Sequence, residues 1–161
     1  MRRFYIKERL FAMGAKFDVY DEHDNEVYLV EADKFDIGKN ISVYSPNKDV
    51  KYVYLEQKIR IGAHKYELYN GVGNSIGVLE KELMIPEYRA SGKIGDIELK
   101  GLGILGRSYD IIKNGISIGK FYKELTFGRD RYILEINDES INEILIGFVV
   151  VIDMVRFHNK G

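Results

Sequence analysis

Residues Ile144 to Ile152 read Ile-Leu-Ile-Gly-Phe-Val-Val-Val-Ile, a run without a polar side chain close to the C-terminus. Ser140 followed three residues later by Glu143 is the capping-box pattern, so a helix is expected from about Ser140 to Phe157. The β-branched residues Val149 to Ile152 would suit a strand. The run nevertheless continues behind a cap through Asp153, Met154, Val155, Arg156 and Phe157, which favours helix. A helix that is apolar all round must be buried, in protein or in lipid. Crossing a bilayer takes roughly 20 mostly apolar residues. This run is shorter, is flanked by Glu143 and Asp153, and has no basic cluster beyond it. Its expected surroundings are therefore protein, and the rest of the chain has to build a cavity around it.

The rest of the chain is patterned for that task. An apolar residue followed by a turn-former recurs at Met13-Gly14, Ile37-Gly38, Ile61-Gly62, Ile85-Pro86, Leu105-Gly106 and Phe127-Gly128, at spacings of 24, 24, 24, 20 and 22 residues. Two positions earlier stand Phe11, Phe35, Ile59, Leu83 and Leu125, with Gly103 the exception. After each turn an alternating pair opens a second strand: Phe17 and Val19, Ile41 and Val43, Tyr66 and Leu68, Tyr88 and Ala90, Tyr109 and Ile111, Tyr132 and Leu134. Turn signals separate the units at 21–25, 45–49, 70–74, 92–96 and 113–115, and the last contains Asn114-Gly115, a strong hairpin signal. Six two-strand units over residues 1–139, followed by the helix at about 140–157, make one domain. Twelve strands ~4.8 Å apart and tilted ~40° close with a radius of roughly 12 Å. Inward side chains take ~5 Å of that and leave roughly 7 Å, close to the 5–6 Å radius of a single helix. The expected fold is mainly β, a closed twelve-stranded barrel around one central hydrophobic C-terminal helix. Closure also removes the strand edges that would promote aggregation.

Composition agrees and excludes several classes. The 161 residues are 45% hydrophobic and 30% charged, as in a globular domain, and 12 Tyr with 8 Phe lean toward strands. The absence of cysteine excludes disulfides, thiolate zinc sites and a cysteine nucleophile. A formal net charge of −1 provides no global field for nucleic acid or anionic membrane, so no nucleic-acid partner is expected. Any lipid affinity has to come from a local patch. The charged start, Met1 to Arg9, has no apolar h-region behind it, which makes a cytoplasmic address the expectation, peripheral at the membrane if lipid is bound.

This order of elements, with Lys16-Phe17-Asp18-Val19-Tyr20-Asp21-Glu22, Val27-Tyr28-Leu29-Val30-Glu31, Tyr54-Leu55-Glu56-Gln57-Lys58, Lys65-Tyr66-Glu67-Leu68-Tyr69 and the ending Ile152-Asp153-Met154-Val155-Arg156-Phe157-His158, resembles the LURP-one-related family. The bacterial branch is the nearer match, over essentially the whole chain. The resemblance implies the Tubby C-terminal-like fold, a barrel threaded by a hydrophobic helix and shared with phospholipid scramblases. Tubby proteins bind phosphoinositides and scramblases are membrane-associated. This chain lacks the Cys-rich segment of scramblases, and Tubby's basic lipid-binding residues do not align onto particular positions in it. Lipid binding is therefore implied by analogy of fold alone, and the bacterial branch implies no settled biochemical role.

Five residues before each turn-former, in phase with the apolar face, stand Arg9, Asp33, Gln57, Lys81, Gly101 and Lys123. A bulge that turns them out at a rim is the structural account. The functional account has Arg9, Lys81 and Lys123 converge at one barrel mouth on a phosphate or lipid head group, with Asp33 or Asp153 as possible structural partners. Asp153 and Arg156, spaced i, i+3, are read as a structural polar pair. Lys58 and Arg60 share the outward face of their strand with Tyr52 and Tyr54, a second anion- or lipid-binding candidate. Enzyme motifs fail on context. Gly101-Leu102-Gly103-Ile104-Leu105-Gly106 has the spacing of a nucleotide-binding turn, but a strand pattern follows it instead of a helix. The three histidines are far apart, no metal site or cofactor is indicated, and no nucleophile, base and orienter group together. The expected role is a non-catalytic scaffold or interaction domain. The alternative is a binding module for anionic lipid head groups or another small anionic ligand at the membrane surface. The corresponding partners are a protein or an acidic phospholipid.

Overall fold

The computed structural model describes residues 1–9, 14–32, 40–60, 63–81, 87–102, 107–125 and 131–157, and for 59, 60, 63, 156 and 157 the backbone alone. The turn-formers after Gly14, the apolar residues paired with them and Asp33 lie outside the described residues. Twelve strands follow one another: β1 (Arg2–Glu8), β2 (Ala15–Tyr20), β3 (Glu26–Ala32), β4 (Ile41–Tyr44), β5 (Lys51–Arg60), β6 (Ala63–Asn70), β7 (Ser75–Lys81), β8 (Glu87–Ser91), β9 (Ile97–Leu102), β10 (Ser108–Lys113), β11 (Ile116–Glu124) and β12 (Arg131–Ile136). Each pairs antiparallel with its chain neighbours, and β1 pairs with β12, so the sheet closes on itself.

The period-two pairs face the inside. Phe17, Val19, Ile41, Val43, Tyr66, Leu68, Tyr88, Ala90, Tyr109, Ile111, Tyr132 and Leu134 are all buried in one core. Asn114 and Gly115 have φ of 50° and 82°, the left-handed conformation that a two-residue hairpin turn requires. Four hairpins carry a bulge next to the turn. Two residues oppose one at the register shifts, and the extra residues are Val27, Tyr52, Ile76 and Ile118. All four pack on the core.

The helix α1 (Asn142–Phe157) lies inside this wall. Leu145, Ile146, Phe148, Val149, Val150, Val151 and Ile152 are at most 1% exposed, although they point in every direction around the axis. Only a closed wall covers a helix on all sides at once. At Gly147 the helix lies close to the sheet, because a Cβ there would lie 2.9 Å from Leu55 Cδ1. No described helix is long and apolar enough to cross a membrane.

The helix start differs from the expected capping box. A 3-10 turn, Glu139–Ile141, precedes α1, and its cap is Asp138, whose carboxylate accepts from Ser140 N and Oγ at 3.1 and 2.5 Å. Lys113 fixes that carboxylate from β10 at 2.9 Å, so an ionised acceptor is already in place two residues before Ser140. Glu143 accepts instead from the Tyr28 hydroxyl at 3.0 Å. The bonds from Ser140, then Lys113, hold the Asp138 carboxyl at about 2, below its ordinary 3.8. The stability these bonds add is present above the unfolded value of 3.8 and is lost as pH falls through about 2. Melting temperatures followed down through this window should fall less steeply for Asp138→Asn than for the parent chain.

Candidate functional site

Antiparallel pairing puts the ends of the odd strands and the starts of the even strands at one mouth, where α1 also ends. Phe17, Ile41, Tyr66, Tyr88, Tyr109 and Tyr132 are buried inward residues near the starts of the even strands there. The residues opposite these on the preceding strands are Glu8, Ala32, Gln57, Lys81, Gly101 and Lys123. Four agree with the series counted from the turn-formers. In the first unit, alternation from Phe4 and Ile6 carries the inward phase to Glu8, not Arg9; in the second it falls on Ala32, not Asp33. Counting back from a turn crosses a connection that need not keep the strand period, which is why the first two units slip by one.

Arg9 therefore stands on the outer wall, where its guanidinium meets both Asp18 oxygens at 3.2 and 2.6 Å. Lys81 and Lys123 share the rim with it, but on β7 and β11, four strands apart. At the strand spacing and tilt of such a barrel that is about 20 Å across the bore. Lys123 Nζ lies 5.7 Å from the Tyr132 ring, and Gln57 Nε2 lies 3.3 Å from His64 Nδ1. Tyr132 donates to Asp153 Oδ1 at 2.9 Å, which ties the buried carboxylate of the helix to β12. The Arg156 side chain lies outside the described residues, so the described partner of Asp153 is a tyrosine. Tyr132→Phe removes this bond from a buried acceptor and should cost about 1–3 kcal/mol in denaturant unfolding. Tyr66 is 1% exposed, its hydroxyl has no hydrogen-bond partner among the described residues, and burial pushes its pKa up.

The second candidate lies on the outer wall. Lys58 Nζ pairs along its own strand with Glu56 at 2.9 Å, and this bond raises the lysine's pKa. The Arg60 side chain lies outside the described residues. Tyr52, expected beside them, is the bulge residue of its hairpin, so it turns in to pack on the core and on Tyr28, with ring centroids 5.5 Å apart. Tyr54 keeps the outward face. Lys51 Nζ lies 4.4 Å from its ring centroid, and Tyr69 stands opposite it across the ladder. Lys51, Tyr54, Glu56, Tyr69, Asn70 and Gly71 line a groove of 360 Å³. On the same side Lys48 Nζ lies 5.1 Å from the Tyr44 ring. Hairpin register and bulges assemble this strip, so strand alternation alone marked Tyr54 and Lys58 but not Tyr44, Lys51 or Tyr69.

Two further readings meet the geometry. Asp21 accepts from Asn25 N and His23 N, both at 2.9 Å, which holds its carboxyl below the usual range and makes it the anchor of its turn. Among the described residues no three His, Asp or Glu side chains are grouped to hold a metal ion. Gly101 and Leu102 end β9 and Ser108 opens β10, so strand follows the glycine-rich segment.

The family model for LURP-one-related proteins matches residues 2–153. The uncharacterized protein YxjI of Bacillus subtilis (strain 168) is 26% identical over 166 residues, covering 99% of this chain and 97% of that protein. An X-ray structure of an Arabidopsis thaliana protein superposes with a TM-score of 0.65 over 95% of this chain and 91% of that one, at 12% identity, a likeness of fold. With a barrel threaded by its own helix and a family match that runs from β1 into that helix, the chain belongs to the LURP-one-related family.

Proposed function

We propose that the protein is a non-catalytic interaction domain that works through its outer wall. The observation that carries this reading is the occupied bore. In a barrel of this girth the interior is the natural place for a small ligand, and here α1 fills it with side chains at most 1% exposed from Leu145 to Ile152, Gly147 apart. What remains for recognition is the outside, where side chains are held by cross-strand partners and the backbone edges are closed. The test is affinity capture with the folded chain. A protein retained by the parent chain and lost on paired outer-wall substitutions, with the melting temperature unchanged, supports the reading. A turnover found with any substrate class, or a ligand located inside the bore, defeats it.

A second reading, an anionic-ligand module at a membrane surface, is favoured by one observation. Lys48 and Lys51 lie over Tyr44 and Tyr54, which places two cations and two amphipathic rings on one strip. Co-sedimentation with vesicles containing acidic lipid, lost at high salt and lost in Lys48→Glu with Lys51→Glu, would support it. Equal recovery with neutral and acidic vesicles would count against it.

A further inference from the structure

Charges on the outer wall are mostly neutralised across the strands. Lys16 stands opposite Glu31, Lys65 opposite Glu80, Arg89 opposite Glu98, Lys100 opposite Asp110, and Glu124 opposite Arg131. On the outward face of β5 and β6 the rule fails in two successive rows: Glu56 stands opposite Glu67, and Lys58 opposite Lys65. Like charges directly opposite one another destabilise a sheet. Lys7 opposite Arg131 is also a like pair, but each cation lies over a tyrosine ring, at 5.3 Å from Tyr20 and 4.7 Å from Tyr5. Among the described residues the β5–β6 rows have no such stacking. Lys58 is met by Glu56 along its strand and Lys65 lies 3.8 Å from Glu80, while Glu67 has no ion-pair partner among the described residues.

The two rows are two residues apart, ~7 Å along the strands. A two-fold axis in the plane of this face, running across the strands at the level of Gln57 and Tyr66, lays the acidic row of one copy on the basic row of another and the basic row on the acidic one. An axis along the strands would instead put Glu on Glu, so the pattern selects one orientation. We infer that the outward face of the β5–β6 hairpin is an isologous self-association surface whose partner is a second copy of this chain. This gives the interaction domain proposed above its partner and rests on that reading. The pattern that costs the isolated barrel stability is compensated in the pair. Eight paired rows of two strands cover a face ~27 Å by ~10 Å. That is well below the ~800 Å² per partner of a standard stable complex. The dimer is accordingly weak, reversible and sensitive to salt.

The test is a dilution series of the full chain from about 1 mM to about 20 µM, followed by amide chemical shifts at low and high salt. Concentration-dependent shifts confined to β5, β6 and their neighbours, and suppressed by salt, are expected. Glu56→Lys with Glu67→Lys, and Lys58→Glu with Lys65→Glu, should each abolish the dependence. An equal mixture of the two double variants should associate at least as tightly as the parent chain, since every row again meets its opposite. Shifts that do not change with dilution of the parent chain overturn the inference, and so does a mixture of folded variants that stays monomeric. The parent series decides the matter should either variant fail to fold. A monomeric parent chain that still captures another protein through its outer wall ends this inference and leaves the interaction reading standing. Vesicle binding through Lys58 and Lys65 by a monomeric chain would end both.

Discussion

Val150→Asp yields no folded protein, whereas the same substitution at Val72 leaves stability within about 0.5 kcal/mol of the parent. Val150 is 0% exposed in the middle of the bore, and Val72 is 82% exposed on the β6–β7 turn. A carboxylate at Val150 would be surrounded by the wall and its own helix. To stay in the barrel it has to lose its hydration without a partner or take up a proton, and either route costs several kcal/mol. The whole margin of a domain this size is about 5–15 kcal/mol. A cooperative unfolding curve for Val72→Asp together with none for Val150→Asp is the expected pair. A normal melting transition for Val150→Asp would mean that the helix is not enclosed.

Gly119→Ala should destabilise by about 3 kcal/mol or more, an unusual effect for one added methyl. A Cβ at Gly119 would lie 2.2 Å from the carbonyl oxygen of Glu135 and 3.1 Å from the Ile136 Cα. Those atoms belong to β12, which is held between β11 and β1, so the wall would have to open to make room. Gly147→Ala is the contrasting case. Its Cβ would approach a methyl of Leu55 at 2.9 Å, and a side-chain end can rotate away. It should cost about 1 kcal/mol, offset in part by the better helix propensity of alanine. Urea denaturation of both variants measures the difference. Equal losses would show that the β11–β12 ladder yields as easily as a leucine side chain.

These two cases separate local from non-local information. The helix was legible because an apolar run with a polar start and end is a local property, and its girth could be compared with that of a twelve-stranded wall before any pairing was known. The inward pairs from Phe17 and Val19 to Tyr132 and Leu134 were legible for the same reason, since strand alternation has a period of two whatever the neighbour. The cap was misplaced by two residues because Asp138 gains its advantage from Lys113, which is distant in sequence. Tyr52 was placed outside because alternation cannot register a bulge.

The candidate site was less legible than the fold. Arg9, Lys81 and Lys123 were marked as cations at a barrel mouth and Lys58 as one on an outward face, yet what each faces depends on the strand alongside it: Asp18 for Arg9, Tyr132 for Lys123, Lys65 for Lys58. The amino-acid order determined by itself that this chain alternates into strands, turns at Asn114-Gly115 and needs an enclosure for Ile144 to Ile152. Tertiary structure alone decided which side chains stand opposite one another, and hence where charge is cancelled and where it is left in like-signed rows. The reason is that alternation is carried within each strand, whereas register is set between strands by turn length, bulges and the closure of β1 on β12.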